Sequence, residues 1–214
     1  MTIKKTILLA VALLLLLPSA YAQKKKKSNA REFDFELRGG FNFCQIDGDG
    51  SGNYNKLGFH GAVNTSLPLS DDGKWRFVVE IGLSQKGSHI TRSDMNRVIS
   101  LLYVEVPLLI AYDFTEQGKL RIGAGLAPAI LAHSKVTTNK VYDADQSKNY
   151  KRMDALPVCI SARYRVNEHI GFDLRWYNSM LNTAIESATG TYRIFRSNKG
   201  QFNRLLTAGI TLDF

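Results

Sequence analysis

The sequence predicts an all-β protein, an eight-stranded antiparallel up-and-down β-barrel that crosses a membrane. Three observations lead to this fold class. Apolar and polar residues alternate with a period of two in eight segments, as in strands that present two different faces. The connections between these segments are alternately short and long. Charges of opposite sign recur on the polar faces, where they can form pairs.

The alternation is clearest in the final segment, LLTAGITLDF at 205–214, where every second residue from Leu206 onward is apolar. Seven earlier segments repeat it. In the fourth segment Pro107 cannot donate a ladder hydrogen bond, so we expect a bulge there. The predicted strands cover about residues 33–43, 57–67, 75–86, 102–112, 120–130, 158–166, 170–177 and 202–214.

The connections distinguish two ends of the barrel. Short turns, SDDGK, TEQGK and NEH, follow the second, fourth and sixth strands. Long polar loops follow the other strands, near 45–56, 87–97, 133–153 and 182–200. Short turns on one side and long loops on the other are typical of outer-membrane barrels, whose even strand number returns both chain ends to the periplasmic side.

The apolar faces are expected to meet lipid. Lipid offers no hydrogen bonds, so a spanning sheet must close on itself, and its polar faces then line the interior. An eight-stranded interior is just wide enough for side chains, and charges there should pair, because unpaired burial costs several kcal/mol each. We interpret these charges first as structural contacts and only second as a path for ions. The predicted interior ion network comprises Glu36, Arg38, Arg76, Glu80, Glu105, Arg121, Arg163, Asp173 and Arg175.

Aromatic side chains are expected near both membrane interfaces, where they form girdles in such barrels. Those predicted on the periplasmic side are Phe33, Phe35, Trp75, Phe77, Tyr112 and Phe214. Those predicted on the outer side are Phe41, Phe43, Phe59, Trp176 and Phe202.

The first 22 residues have the features of a secretory signal peptide. Two lysines precede a short apolar run at 7–17, and small residues follow at an A-x-A site. The run is too short to cross the roughly 30 Å hydrocarbon core as a helix. Cleavage is expected after Ala22, with Ala20 as the other small residue and Gln23 as the first residue of the mature chain.

The predicted organisation is a signal peptide at 1–22, a basic tail at 23–30 and the barrel at 31–214. The formal net charge is +9, and loss of the two lysines of the signal peptide leaves +7. A run of four lysines in the tail supplies much of this charge. We interpret the run as a solvated tail, with contact to anionic lipid headgroups as the alternative.

No catalytic, cofactor or metal site is predicted. The segment DGDGSGNYNKLG at 47–58 matches the start of an EF-hand calcium loop, but its twelfth position is Gly58 instead of glutamate. We interpret it as a hairpin loop, with weak calcium binding by Asp47 and Asp49 as the alternative. No spacing ties His60 or His133 to a nucleophile, although a lipid hydrolase or acyltransferase is a further alternative.

The two cysteines, Cys44 and Cys159, fall on the interior face of strands that are not neighbours in the predicted barrel. A disulfide needs Cα atoms within about 7 Å of each other. We therefore expect two packed thiols.

Several short motifs resemble the PorT-like outer-membrane β-barrel family of Bacteroidota. They are GGFN at 39–42, LGFHGAV at 57–63, SQKG at 84–87, YVEVPLLIAY at 103–112, GAGLAP at 123–128, LRWYNSML at 174–181 and the closing AGITLDF. The resemblance covers most of the mature chain and implies an architecture like that of small OmpX/OmpA-type barrels. It also implies that Phe214 is the terminal signal read by the barrel-assembly machinery. One branch of the family assists type IX secretion, so the resemblance suggests this role as well.

The expected role is a non-enzymatic outer-membrane barrel with a filled lumen that stabilises the membrane or presents its loops to a partner. The alternatives are an accessory part of a type IX-like secretion system and a narrow channel. Expected partners are outer-membrane lipids, the barrel-assembly machinery and secretion-system proteins. Basic residues in the third and fourth outer loops suggest lipopolysaccharide phosphates as well. Nucleic acid is not an expected partner of an exported chain.

Overall fold

The computed structural model describes residues 34–50, 52–115, 118–185, 191–193 and 196–214. The predicted signal peptide, with Ala20, Ala22 and Gln23, lies outside the described residues, as do the basic tail and Phe33.

The described residues form strands almost throughout. One short helix, α1, spans Ala144–Lys148 in the third outer loop. The strands are β1 (Asp34–Asp47), β2 (Lys56–Pro68), β3 (Trp75–Arg92), β4 (Met95–Glu105), β5 (Leu108–Asp113), β6 (Leu120–Leu126), β7 (Ala129–Thr138), β8 (Val141–Tyr142), β9 (Met153–Asp154), β10 (Pro157–Arg165), β11 (Ile170–Ser179), β12 (Thr191–Arg193), β13 (Arg196–Gly200) and β14 (Phe202–Asp213).

The strands close into an antiparallel barrel, as predicted. β4 and β5 together form one wall strand, as do β6 and β7, and β9 and β10. The two members of each pair form hydrogen bonds with the same adjacent wall strand. In the described part of the chain this makes eight wall strands. The ring runs from β1 through β2, β3, β5, β6, β10 and β11 to β14, and it closes where the last strand, β14, pairs with the first, β1.

The strands are strongly tilted. Stepping from partner to partner around the wall, a path that leaves β2 at Lys56 returns to β2 at Ser66. The stagger is therefore ten residues, from position 56 to position 66. With ordinary strand rise and spacing, this stagger in an eight-stranded barrel requires a tilt of roughly 40°.

The orientation of the two faces is the one expected for a barrel in lipid. On β2, Phe59 is 50% exposed on the outer face, whereas the adjacent His60 is 6% exposed and faces inward. The same contrast runs along the other wall strands, with apolar side chains outside and polar or charged side chains inside. Exposed apolar residues include Leu37, Phe41, Val63, Leu83, Ile110, Ile122, Ile160, Phe172, Leu174, Ile210 and Leu212.

Aromatic rings gather at the periplasmic edge of this apolar band. Trp75 and Tyr112 meet edge to face with ring centroids 5.0 Å apart, and Tyr112 meets Phe114 in the same way. The assignment of Phe202 to the outer girdle is wrong, because its side chain is fully buried. The segment after β11 bonds to the start of β14, through the Thr183 N–H and the Gln201 carbonyl, so protein covers this end of the strand.

The prediction of a long loop at 87–97 is also wrong. β3 and β4 stay paired as far as Arg92 and Met95 and form a tight hairpin. Apolar and polar residues still alternate there, but the apolar side chains now face the interior. Ile90, Ile99 and Leu101 point inward and are buried. β7 likewise continues to Thr138, inside the predicted third loop. Together β3, β4 and β7 extend the wall beyond the apolar band.

Pro107 interrupts the wall between β4 and β5, but the bulge expected there is not observed, because the pairing register is the same on both sides of it. The register shift lies instead between Leu102 and Tyr103. Two further prolines, at the breaks beside β7 and β10, were not predicted to interrupt the wall. The carbonyl groups of Pro107, Pro128 and Pro157 accept hydrogen bonds from the N–H groups of Glu80, Val106 and Ala127 on the neighbouring strands. The wall therefore stays bonded across all three breaks although each proline lacks a donor.

Cys44 and Cys159 are buried and not bridged. Both belong to one apolar cluster inside the barrel, with Val78, Leu109, Ala111, Ala127, Tyr177 and Leu205. Within the described residues, no helix is both long and apolar enough to cross a membrane.

A charge placed in the middle of the apolar band should destabilise the barrel. Leu174 is 50% exposed and pairs with Ala162 and Ala208 on its two neighbours. We expect Leu174→Arg to lower the free energy of unfolding by about 2–4 kcal/mol, the cost of arginine near the bilayer midplane. The measurement is urea unfolding in lipid vesicles. Val98→Arg, on the outward face of the β3–β4 extension, is the control, and equal losses from both variants would contradict the assigned band.

Candidate functional site

The barrel interior contains the residues predicted as an ion network, and at its centre four of them form one cluster. The Arg38 guanidinium makes two contacts with the Glu80 carboxylate, at 2.5 Å and 3.3 Å. Arg175 lies 3.0 Å from Glu80 and 2.9 Å from Asp173, and Arg38 lies 3.3 Å from Asp173. All four side chains are buried. Two guanidinium groups thus share two carboxylates, and the cluster is formally neutral.

A second cluster lies toward the periplasmic end. Arg163 lies 2.8 Å from Glu36 and 2.5 Å from Asp213, which also approaches Arg165 at 3.2 Å. The Asn64 amide donates a further hydrogen bond to Glu36 at 2.8 Å. These contacts join β1, β2, β10 and β14 across the interior, again with two positive and two negative groups.

A third cluster lies at the periplasmic mouth. Arg76 and Arg121 approach Asp34 at 2.8 Å and 3.5 Å, and Arg121 approaches Asp113 at 2.7 Å. The Ser66 hydroxyl accepts a hydrogen bond from Arg76 at 2.9 Å. Asp34 is the most exposed member, with 34% of its side chain accessible, so this cluster is the one in contact with periplasmic water.

The fourth cluster lies toward the outer end. Lys86 approaches Glu105 at 2.6 Å and Asp154 at 4.0 Å, and its ammonium lies 4.8 Å from the centre of the Tyr103 ring. Asp154 comes from β9, on the outer loop, and accepts a hydrogen bond from Ser179 at 2.5 Å. This cluster therefore ties the third outer loop to the barrel interior.

The structure brings the nine predicted residues into these four clusters and adds partners that sequence analysis missed. The added partners are Asp34, Lys86, Asp113, Asp154, Arg165 and Asp213. Parity would have found most of them, because Asp34, Lys86, Asp113 and Arg165 each lie an even number of residues from a predicted member on the same wall strand. Asp213 alternates with the apolar residues of the final segment. Asp154 carries no such signal, since it follows a loop whose path the sequence does not define.

The two histidines considered for catalysis do not meet. His60 Nδ1 lies 2.8 Å from the Asn42 amide oxygen, and the Asn42 amide donates to Ser84 at 3.0 Å. His133 is exposed on β7, opposite the outward-facing Leu102, so it lies on the other side of the wall from His60. The contacts of His60 are those of a buried packing residue.

Beyond the fourth cluster, the outer end of the interior is filled by apolar side chains. Ile46, Ile90, Ile99, Leu101, Tyr103, Ala129, Val136 and Tyr150 form this outer apolar cluster. Tyr150 follows α1, and burial raises the pKa of its phenol. The helix also covers the edge of β7, where the Val136 N–H donates to the Ser147 hydroxyl at 2.9 Å. The third outer loop thus folds over the barrel mouth.

The loop that resembles a calcium site is held by protein contacts. The Asp47 carboxylate accepts a hydrogen bond from Gln45 at 2.6 Å and pairs with Arg204 at 2.8 Å. The Asp49 carboxylate accepts a hydrogen bond from the Ser88 hydroxyl. Across the described ranges, no group of three or more His, Cys, Asp or Glu side chains is placed to hold a metal ion.

A closed antiparallel wall, an apolar outer band and a charged interior define a small outer-membrane β-barrel. The chain belongs to the family described as outer membrane protein beta-barrel domain, whose model matches residues 21–184, more than half of the chain. The protein is therefore located in the outer membrane. No curated protein matches the sequence.

Solved structures share the fold. Ail, the attachment invasion locus protein of Yersinia pestis, in complex with the heparin analogue sucrose octasulfate, is 11% identical with a TM-score of 0.52. The match covers 86% of this chain and 99% of Ail. Neisserial surface protein A is 12% identical with a TM-score of 0.49, over 84% of this chain and 97% of that protein. At these identities the likeness concerns the fold alone.

Removing one charge from the central cluster should be costly. Glu80 is paired with both Arg38 and Arg175, and its side chain is 1% exposed. We expect Glu80→Gln to lower the free energy of unfolding by about 3–5 kcal/mol, because it leaves an uncompensated buried charge. Urea unfolding in vesicles measures the loss. Arg204→Gln, which breaks a partly exposed pair with Asp47, should cost less than about 1 kcal/mol, and the reverse order would contradict the assignment.

The buried carboxylate of Asp154 should hold the third outer loop in place. Asp154→Ala removes the acceptor for Ser179 and one of the two carboxylates near Lys86. We expect residues 149–156 to exchange their amide hydrogens and to be cleaved by trypsin at least tenfold faster, while the wall strands keep their protection. Asp145→Ala, an exposed position on α1, is the matched control. Unchanged exchange in Asp154→Ala would show that other contacts hold the loop.

Proposed function

We propose that the protein is a non-enzymatic outer-membrane barrel with a filled lumen, which stabilises the outer membrane or presents its outer loops to a partner. One observation carries the proposal. Side chains that meet one another occupy the described interior from the mouth cluster of Asp34 to the outer apolar cluster around Tyr150.

The arrangement of the interior explains why this role is favoured over transport. Three of the four ion clusters are formally neutral and are made from different wall strands, so each acts as a cross-brace. Passage of an ion would require these pairs to separate in a space just wide enough for side chains. Separating a buried pair costs several kcal/mol.

The proposal includes the chain's route to the membrane. Cleavage after Ala22 would release the chain for assembly, and the terminal Phe214 would be read by the barrel-assembly machinery. Phe214 is 80% exposed, and its N–H donates to the Phe35 carbonyl at 3.1 Å, next to the closing pair of strands. Outer-membrane lipids, including lipopolysaccharide phosphates, are the proposed partners of the outer surface.

A second candidate is an accessory role in a type IX-like secretion system. The motifs similar to the PorT-like family of Bacteroidota support it, above all the YVEVPLLIAY segment around Pro107. The extension of β3, β4 and β7 beyond the apolar band also supports it, since it offers a firm surface to another protein. The third candidate, a narrow channel, has no comparable support.

Conductance measurements separate the filled barrel from a channel. We expect the purified chain in planar bilayers to show no steps above background at neutral pH. Glu80→Ala together with Arg38→Ala, which removes one opposite-charge pair, should produce measurable leakage if the central cluster blocks the lumen. Steady conductance of the unmodified protein would refute the filled lumen.

A deletion strain separates the first two candidates. Loss of the protein should increase sensitivity to detergents and to large antibiotics while secreted proteins reach the medium at normal levels. Loss of secreted cargo, restored by the unmodified gene, would instead favour the secretion role. A Leu174→Arg gene serves as a control for a chain that is made but folds poorly.

A further inference from the structure

On the wall formed by β7 and β9 the apolar band ends abruptly. Ile130 and Met153 are paired across these strands, and both are exposed, at 44% and 56%. Leu156, two residues after β9, is 42% exposed and continues the apolar surface toward β10. Farther out, on β7 and in the residues just before β9, the exposed side chains become basic.

Three exposed cations follow this apolar edge, Lys135 on β7 and Lys151 and Arg152 just before β9; together they are named the basic patch. Their backbone is fixed. Lys135 pairs with Ser100 on β4, and the carbonyl of Arg152 accepts a hydrogen bond from the Leu131 N–H at 2.7 Å. The Lys151 N–H donates to the Thr183 carbonyl at 2.8 Å.

The backbone of the basic patch extends through the layer of lipid headgroups, and its long side chains can reach phosphates within that layer. A strand tilted by roughly 40° advances about 2.5 Å per residue along the barrel axis. Lys135 then lies about 10 Å beyond Ile130, allowing for the bulge at Ala132, and Arg152 lies about 3 Å beyond Met153. The polar headgroup layer is itself roughly 5–8 Å thick on each side of a bilayer.

The charge of the basic patch is not compensated by the described part of the protein. Neither of its lysines nor Arg152 forms an ion pair with a described residue, in contrast to Arg204, which pairs with Asp47 at 2.8 Å. The nearby carboxylates do not form ion pairs with the basic patch, because they make other contacts or lie elsewhere. Asp154 faces the interior, Asp143 caps α1 through the Gln146 N–H, and Asp145 is exposed on the helix.

We infer that the basic patch binds the phosphate groups of an outer-leaflet phosphorylated lipid whose acyl chains lie on Ile130, Met153 and Leu156. This inference rests on the proposed function, of which it names one partner and its site. Arginine can hold phosphate oxygens in a bidentate manner, and lysine adds a mobile positive charge. The apolar residues directly below suit a lipid better than a free anion, because one molecule can satisfy both surfaces.

The test measures binding of lipid A with two phosphates to the purified mature chain in detergent micelles, by native mass spectrometry. Each cation near an anionic surface contributes about fivefold to affinity, so Lys135→Gln with Arg152→Gln should weaken binding about 25-fold. The matched control, Lys119→Gln with Lys140→Gln, removes the same charge from the periplasmic turn and from the β7–β8 turn. It should change affinity by less than about twofold.

A charge-preserving variant tests whether misfolding, and not loss of charge, explains weaker binding. Lys135→Arg with Arg152→Lys should bind within a few-fold of the unmodified chain. Lipid A with one phosphate should bind more weakly than the form with two. Equal affinity of the Gln variant and its control, or capture of inorganic phosphate without lipid A, would overturn the inference. A non-conducting barrel that fails to bind lipid A would leave the filled-lumen function standing while removing this site.

Discussion

The structure depends on one constraint, that a sheet in lipid must satisfy its own backbone hydrogen bonds. Lipid supplies no partner for an unpaired N–H or carbonyl group, so the wall has to close. Closure occurs where the last strand, β14, pairs with the first, β1, through partners such as Phe41 and Ala208. Once the ring is closed with a stagger of ten residues, the diameter and the tilt follow.

Closure turns the polar faces of the strands toward one another in a narrow space. Unpaired charges are costly there, and the interior charges form clusters in which most guanidinium groups contact two carboxylates. Arg38 and Arg175 share Glu80 and Asp173 in this way. Such clusters connect strands that are distant in sequence. They therefore also favour the observed pairing register over registers shifted along the strands. The same contacts therefore brace the wall across the interior.

The outer end follows a different principle. Above the apolar band the surroundings are water on the outside, so the inward face becomes the apolar one. β3 and β4 pass through this change without interruption, with Glu105 in the ionic part and Leu101 in the apolar part. The third outer loop then folds inward and is held by Asp154 and Tyr150. Its outward surface, at the lipid boundary, is where the basic residues remain unpaired.

The alternation by itself determined the eight wall strands, their antiparallel order, the outward direction of the apolar faces and the break at Pro107. Those features are local, since each depends on residues two apart or on a missing donor. The interior position of the nine charged residues followed from parity for the same reason. Only the tertiary structure decided which charge meets which, that Phe202 is covered by protein, and that the chain at 87–97 is a hairpin. Each of these depends on whether lipid, water or another loop surrounds a strand at a given height. Those surroundings are set by the closed barrel and cannot be deduced from a single segment.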